Sequence, residues 1–245
     1  MKTFTQRPQI TIGRLRASAY DIPTDFPESD GTIEWKTTTL VLVEVPGADE
    51  TGIGYTYADG ATARLINDTL ADVVEGRDAM ATSANWLAMV RAIRNLGRPG
   101  ISSMAIAAAD NALWDLKARL LDLPLARLLG VTRDAAPVYG SGGFTSYTDE
   151  QLADQLGGWV HDTGIPRVKM KIGTDRGRDP DRDVRRVAIA RDAIGPEAEL
   201  FVDANGAYSR KRAIRRASVF HDLGVTWFEE PVSADDRDGL HEIRA

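Results

Sequence analysis

The chain has 245 residues, 43% hydrophobic and 27% charged, with 30 basic against 36 acidic side chains and a formal net charge of −6. That is the composition of a folded globular chain of one or two domains, and it excludes a disordered tail protein. The acidic balance argues against a nucleic-acid groove or an anionic membrane surface, both of which need a concentrated positive field. The absence of cysteine removes disulfides, zinc–thiolate sites and thiol nucleophiles. The N-terminal MKTFTQRPQITIGRLR lacks the apolar stretch of a secretory signal. The longest apolar run, residues 104–109, falls far short of the ~20 residues that cross a bilayer. A cytoplasmic chain acting on small molecules is expected.

In chain order, residues 9–20 and 35–45 are β-branched and partly alternating. Pro46-Gly47, Gly52 and Gly54 supply turn chemistry before a short third run near Tyr55. A small antiparallel sheet is expected, with residues 21–31, rich in proline and acid, as an exposed loop between its first two strands. Leu65, Ile66, Thr69, Leu70, Val73 and Val74 recur at helical spacing and stop at Gly76. Trp86, Met89, Val90, Ile93 and Leu96 do the same and stop at Gly97. A third helix is expected from about Ser102 to Leu121, its alanine-rich face suited to close packing.

After Gly130 the pattern becomes a repeat. Strand-like residues 138–144 precede a helix over 148–162, and 167–172 lead to a helix over 181–194. Residues 200–205 precede a helix over 210–223, and 226–232 precede another that starts near Asp235. Four consecutive strand–helix units imply a parallel sheet, either open or closed as a barrel.

Polar residues concentrate at the carboxyl ends of three of these strands: Lys169 and Lys171, then Asp203 and Asn205, then Glu229 and Glu230. That edge of a parallel α/β sheet carries active sites, because its loops vary while the strands hold their ends. Side chains alternate across a strand, so Lys169 and Lys171 share a face, as do Asp203 and Asn205. Asp203 and Glu229 are hard oxygen donors suited to Mg²⁺, and a lysine beside such an ion and a second ammonium is expected to have a lowered pKa. Together they suggest removal of a proton next to a carboxylate, with the lysine as base. Singly, each residue has a plainer reading: a buried ion pair, a strand-end lysine lying along the surface, or, for Asn205, a cap on the following turn. The basic run Arg210-Lys211-Arg212 reads as the solvated face of a helix.

The segment Ala109-Asp110-Asn111-Ala112-Leu113-Trp114-Asp115-Leu116-Lys117 is followed by Leu123-Pro124, Leu128-Leu129-Gly130, Lys169-Met170-Lys171, Val202-Asp203-Ala204-Asn205 and Trp227-Phe228-Glu229-Glu230-Pro231. In this order, with 32 residues from Lys171 to Asp203 and 26 from Asp203 to Glu229, the chain resembles the mandelate racemase and muconate lactonising group of the enolase superfamily. The resemblance implies an α/β protein with an N-terminal α+β capping domain over residues 1–130. Residues 131–245 would then form the first half, about four βα units, of a modified TIM barrel. It further implies an essential Mg²⁺ held by Asp203 and Glu229, with Lys171 and Lys169 as acid/base lysines. Asn205 would touch the substrate, and Tyr20, Phe26 and Tyr55, in or near the capping-domain loops, would shape its binding.

The implied partner is a small carboxylate, an acid sugar, and the implied reaction is dehydration, with racemisation, epimerisation or cycloisomerisation sharing its first step. A homo-oligomer is expected, with no nucleic acid or membrane partner. A full barrel needs eight units and ~250 residues, whereas 115 residues follow Gly130. A third carboxylate ligand and an opposite-face acid/base are therefore expected beyond Ala245. Either the sequence is a piece of a longer enzyme, or it is a half-barrel that pairs or has lost activity. His161, His221 and His241 fall on expected outer helices, away from any racemase-type role.

Overall fold

Val41, Val43 and Val45 alternate with more exposed residues along β2 (Glu34–Gly47), and all three are fully buried. This is the period-two pattern of a strand with one face on a core. A two-residue turn, with Ala48 at φ 50°, returns the chain into β3 (Glu50–Tyr57), which pairs with β2 antiparallel from Leu40↔Tyr57 to Gly47↔Glu50. β1 (Arg16–Ser29) lies on the other side of β2, so the sheet order is β1-β2-β3. The computed structural model describes residues 9–244, and the N-terminal stretch read above for signals lies partly outside them. Among these residues no helix is long and apolar enough to cross a membrane.

The expected loop over residues 21–31 is instead strand for most of its length: β1 runs on through Pro23 and Pro27 to Ser29. The prolines are tolerated because β1 is an edge strand, where a missing N–H on the open side breaks no ladder bond. Only residues 30–33 turn, around Asp30 Oδ1, which accepts from Thr32 N at 2.6 Å and Ile33 N at 2.9 Å.

The chain divides into two compact units. One is the chain up to Pro23 with Thr37–Asp134, and the other is Thr24–Lys36 with the chain from Ala135 onward. In the first, helical residues 61–74 include a π-turn over Ile66–Leu70, and three more helices follow, Thr82–Ala92, Ile101–Leu120 and the short Leu125–Leu129. Ile66, Leu70, Val74, Met89, Ile93, Leu113 and Leu116 join the β2 valines in one core. The alanine-rich face of Ile101–Leu120 packs on β3 so closely that a Cβ on Gly54 would stand 2.1 Å from Ala108 O and 2.6 Å from Ala112 N. Backbone atoms cannot swing aside as a side-chain tip can. Gly54→Ala is therefore expected to destabilise the chain by about 3 kcal/mol, at the upper end of overpacking costs, read as a lowered urea midpoint at unchanged slope.

In the second unit four parallel strands stand in chain order, β4 (Gly140–Gly142), β5 (Arg167–Lys171), β6 (Glu199–Asp203) and β7 (Val225–Glu229). Helices Asp149–His161, Pro180–Ile194, Arg210–Asp222 and Arg237–Arg244 alternate with them. This is half of the strand complement of a TIM barrel. Val168, Met170, Leu200 and Val202 form a core with Leu152, Leu156, Val187, Ala190 and Phe220 from the helices. β4 is shorter than the 138–144 expected, and its two glycines lie where Trp159 crosses: a Cβ on Gly140 would meet its ring at 2.3 Å. The hairpin tip belongs to this unit. Thr145 N donates to Ser29 O at 2.8 Å, Ser146 Oγ donates to Pro27 O at 2.7 Å, and Trp35 meets Phe144 edge-on with ring centroids 5.6 Å apart.

Candidate active site

The register of the parallel sheet sets Lys171 opposite Asp203 and Asp203 opposite Glu229. Neighbouring strands lie about 4.8 Å apart, so three charged residues stand side by side at the carboxyl edge. One pair deeper, Lys169 faces Phe201, which faces Trp227. Met170 and Val202, pointing the other way, are buried against the helices. Alternation alone thus brings both lysines and both carboxylates to one face.

Their contacts are short. Lys171 Nζ donates to Asp203 Oδ2 at 2.6 Å, and Lys169 Nζ donates to Glu229 Oε1 at 2.7 Å while lying 3.6 Å from Asp203 Oδ2. Asp203 is 2% exposed and Lys169 5%, so each charge survives there only because the others answer it. The remaining oxygens are also engaged: Asn205 N donates to Asp203 Oδ1 at 2.9 Å, and Trp227 Nε1 to Glu229 Oε2 at 3.2 Å. At Lys169 in this cluster, without a bound ion, opposing effects act on the ammonium. Burial pulls its pKa down, but Glu229, Tyr139 and Asp203 outweigh burial and the net shift is upward. Tyr139, which sequence reasoning missed, places its ring centroid 5.1 Å from Lys169 Nζ and stacks edge-on with Phe201 at 5.6 Å. Its one signal was an aromatic residue immediately before a strand glycine.

Beyond the strand ends the alternation no longer applies. β6 stops at Asp203, and Asn205 takes the left-handed φ of 46°, so its side chain leaves the Asp203 face. Asn205 Nδ2 donates to Glu230 Oε2 at 3.3 Å, and Asn205 Oδ1 is buried without a hydrogen-bond partner. Glu230, at φ 41°, repeats the left-handed turn one residue after Glu229. Such backbone costs a non-glycine residue on the order of 1 kcal/mol and concentrates at functional sites.

The other expected site residues are distributed between the units. Phe26 belongs to the second, half-exposed in β1 and edge-on to Tyr147 with centroids 6.0 Å apart. Tyr20 in β1 and Tyr55 in β3 belong to the first; both are exposed on strands, not in loops, and Tyr55 stacks edge-on with Tyr57 at 6.3 Å. His161, His221 and His241 all sit on helices.

The donor set suits a small hard cation. Two carboxylates from adjacent strands converge on one point of positive charge, now the Lys169 ammonium, and hard oxygens are what Mg²⁺ takes. Among the described residues no group of three histidine, cysteine or acidic side chains could hold a metal ion. Asp203 and Glu229 are two hard oxygen donors that could serve such an ion, which takes water or substrate oxygen in its other positions.

One unit is a parallel βα sheet with lysines and carboxylates facing one another at its carboxyl edge, and the other is α+β, which defines a two-unit α/β protein. Residues 23–130 match the mandelate racemase / muconate lactonizing enzyme N-terminal domain, and residues 151–245 match the enolase C-terminal domain-like family. The chain belongs to the mandelate racemase and muconate lactonizing enzyme group of the enolase superfamily. It is 32% identical to the L-talarate/galactarate dehydratase of Salmonella typhimurium over 211 residues, 84% of this chain and 52% of that one. The same enzyme in a crystal structure liganded with Mg and L-lyxarohydroxamate superposes with a TM-score of 0.88 at 28% identity, covering 99% of this chain and 64% of that one. A 3,6-anhydro-alpha-L-galactonate cycloisomerase of Streptomyces coelicolor is 32% identical over 95% of this chain and 65% of its own length. A mandelate racemase/muconate lactonizing enzyme-like protein of Rubrobacter xylanophilus gives a TM-score of 0.92 at 53% identity, over 97% of this chain and 64% of that one. The chain thus spans between half and two thirds of the length of these relatives.

Proposed function

We propose that this chain takes part in the magnesium-dependent removal of the proton α to the carboxylate of an acid sugar, followed by loss of the β-hydroxyl. The observation that carries the proposal is the meeting of Lys169, Lys171, Asp203 and Glu229 at the carboxyl edge of the sheet, where Lys171–Asp203, Lys169–Asp203 and Lys169–Glu229 contacts of 2.6–3.6 Å link all four. A dehydratase and a cycloisomerase of acid sugars among the relatives support the choice of substrate class. Asp203 and Glu229 would hold Mg²⁺. When bound, the ion supplies positive charge against the substrate carboxylate and lowers the cost of negative charge developing at the α-carbon.

This chain's own residues supply the base and its surroundings. Lys171, with a single carboxylate partner among the described residues and a more open side chain than Lys169, takes the α-proton on Nζ as the neutral amine, and the ammonium so formed returns it to the departing β-hydroxyl, which leaves as water. Lys169, bridging two carboxylates, remains an ammonium and fixes their spacing. Asn205 offers its unpartnered Oδ1 to a substrate hydroxyl, and Phe26 gives an apolar wall. Tyr20 and Tyr55 enter on sequence grounds alone, as aromatic residues that select among acid sugars. A cytoplasmic homo-oligomer with no nucleic-acid or membrane partner completes the reading.

The test is incubation with Mg²⁺ and a panel of acid sugars in D₂O, followed by proton NMR. The expected result is loss of the α-proton signal and growth of a 2-keto-3-deoxy acid. Exchange without the keto acid would favour the racemase or cycloisomerase outcome, in line with the cycloisomerase relatives. Exchange with no acid sugar would refute the proposal.

A further inference from the structure

Helix Pro180–Ile194 begins as a surface helix does: Asp179 caps it through Arg182 N at 3.1 Å, Pro180 occupies the first turn, and the run Asp181-Arg182-Asp183-Val184-Arg185-Arg186 reads as a solvated face. Two of these charges are nevertheless inside. Asp183 is fully buried and Arg186 is 1% exposed. They lie three residues apart on one side of the helix, yet neither hydrogen-bonds the other. Each is directed instead at the segments that leave the strands.

Asp183 Oδ1 accepts from Thr174 N at 3.2 Å and Thr174 Oγ1 at 2.9 Å, and its Oδ2 accepts from Tyr208 Oη at 2.5 Å. Thr174 lies just past Lys171 at the exit of β5, and Tyr208 lies past Asp203 at the exit of β6. Arg186 donates from Nη1 to Tyr147 O at 2.8 Å, and from Nη2 to Phe144 O at 2.8 Å and Gly143 O at 3.3 Å, all at the exit of β4. Gly143 O also accepts from Lys171 N at 3.1 Å, and Ile172 N donates to Asp203 O at 2.9 Å. One helix therefore reaches the backbone on either side of Lys171, and through Tyr208 the turn that follows Asp203.

We propose that Asp183 and Arg186 are positioning residues: they hold the exits of β4, β5 and β6 so that the Lys171 ammonium and the Asp203 carboxylate keep their register. Stability alone does not call for them, since well-packed apolar side chains serve a buried site as well as buried charges do. Directed hydrogen bonds to three separate exits are what apolar residues cannot supply. Burial, with the charge of Asp183, drives the Tyr208 hydroxyl far above its ordinary pKa, so Tyr208 stays a donor. Only the consequence for turnover rests on the proposed chemistry; the claim about the exits does not.

The experiment is amide hydrogen exchange on the full chain, comparing the unaltered protein with Asp183→Asn, Arg186→Met, Arg186→Lys and Tyr208→Phe. The expected result for Asp183→Asn is exchange at least about 10-fold faster, read as local opening, over residues 171–176 and 204–208. For Arg186→Met the same rise is expected over 143–147 and at Lys171. In both, Val168, Leu200 and Val202 keep their protection. With the acid sugar that the unaltered chain turns over, kcat is expected to fall about 10-fold or more while KM stays within about 2-fold, with Arg186→Lys restoring part of the loss. Exchange that rises evenly through the unit, or does not rise at the exits, would overturn the proposal. If Asp183→Asn or Arg186→Met fails to fold, Tyr208→Phe and Arg186→Lys are read by the same pattern. An unaltered chain that turns over no acid sugar refutes the chemistry of the preceding section, while the exchange pattern still decides this inference.

Discussion

Lys171→Ala is expected to lower the rate of α-proton exchange by about 10³-fold, within the range that general-base groups contribute. Lys171 stands at the last position of β5, its Nζ 2.6 Å from Asp203 and its side chain partly open, where a substrate proton can reach it. The loss should fall on kcat, because the residue acts on the proton and not on the distant hydroxyls that bind the sugar. Lys169→Met provides the contrast. Its ammonium bridges Asp203 and Glu229, so its removal should disturb the spacing of the two carboxylates as well as the rate. Proton NMR of exchange in D₂O reads both variants. Exchange in Lys171→Ala within a few-fold of the unaltered chain would reject Lys171 as the base.

Asp203→Ala is expected to cost about 3–5 kcal/mol of stability, the usual price of breaking a buried ion pair by removing one partner. Among the described residues Asp203 Oδ2 is the one acceptor for Lys171, and it lies 3.6 Å from Lys169. Without it Lys171 is left unpaired, with Lys169 still charged beside it. Urea unfolding without added divalent ions measures the loss. Replacing the pair together, Lys171→Met with Asp203→Leu, should recover much of it, because neither charge is then stranded. Asp203→Ala within about 1 kcal/mol of the unaltered chain would show that the lysines find other partners and that the cluster is looser than its distances imply.

The strand–helix repeat was readable because its apolar residues keep strict periods. The site was readable for the same reason: Lys169, Lys171, Asp203 and Glu229 lie within regular strands, where alternation fixes the face of every side chain. Reading failed where the backbone departs from regularity or where edge position changes the rules. Pro23 and Pro27 signal a loop in a central strand but are harmless at an edge. Asn205 was grouped with Asp203 by parity, yet the strand ends between them and the left-handed turn redirects it toward Glu230. Asp183 and Arg186 share the helical spacing of buried Val187, Ala190 and Ile194, but their charge makes them read like their solvated neighbours Asp181 and Arg185. The tertiary packing of three strand exits shows that they are buried.

The central claim is that Asp203 and Glu229 together receive a divalent ion that the β5 lysines face. An ion that binds only the folded chain stabilises it by RT ln(1 + [L]/Kd), about 2.7 kcal/mol at a hundredfold excess over Kd. The direct measurement is the urea midpoint of the unaltered chain and of Asp203→Asn/Glu229→Gln across a Mg²⁺ titration. The midpoint of the unaltered chain is expected to climb with Mg²⁺ and that of the double variant to stay flat. Equal climbs in both, or none in the unaltered chain, would contradict it.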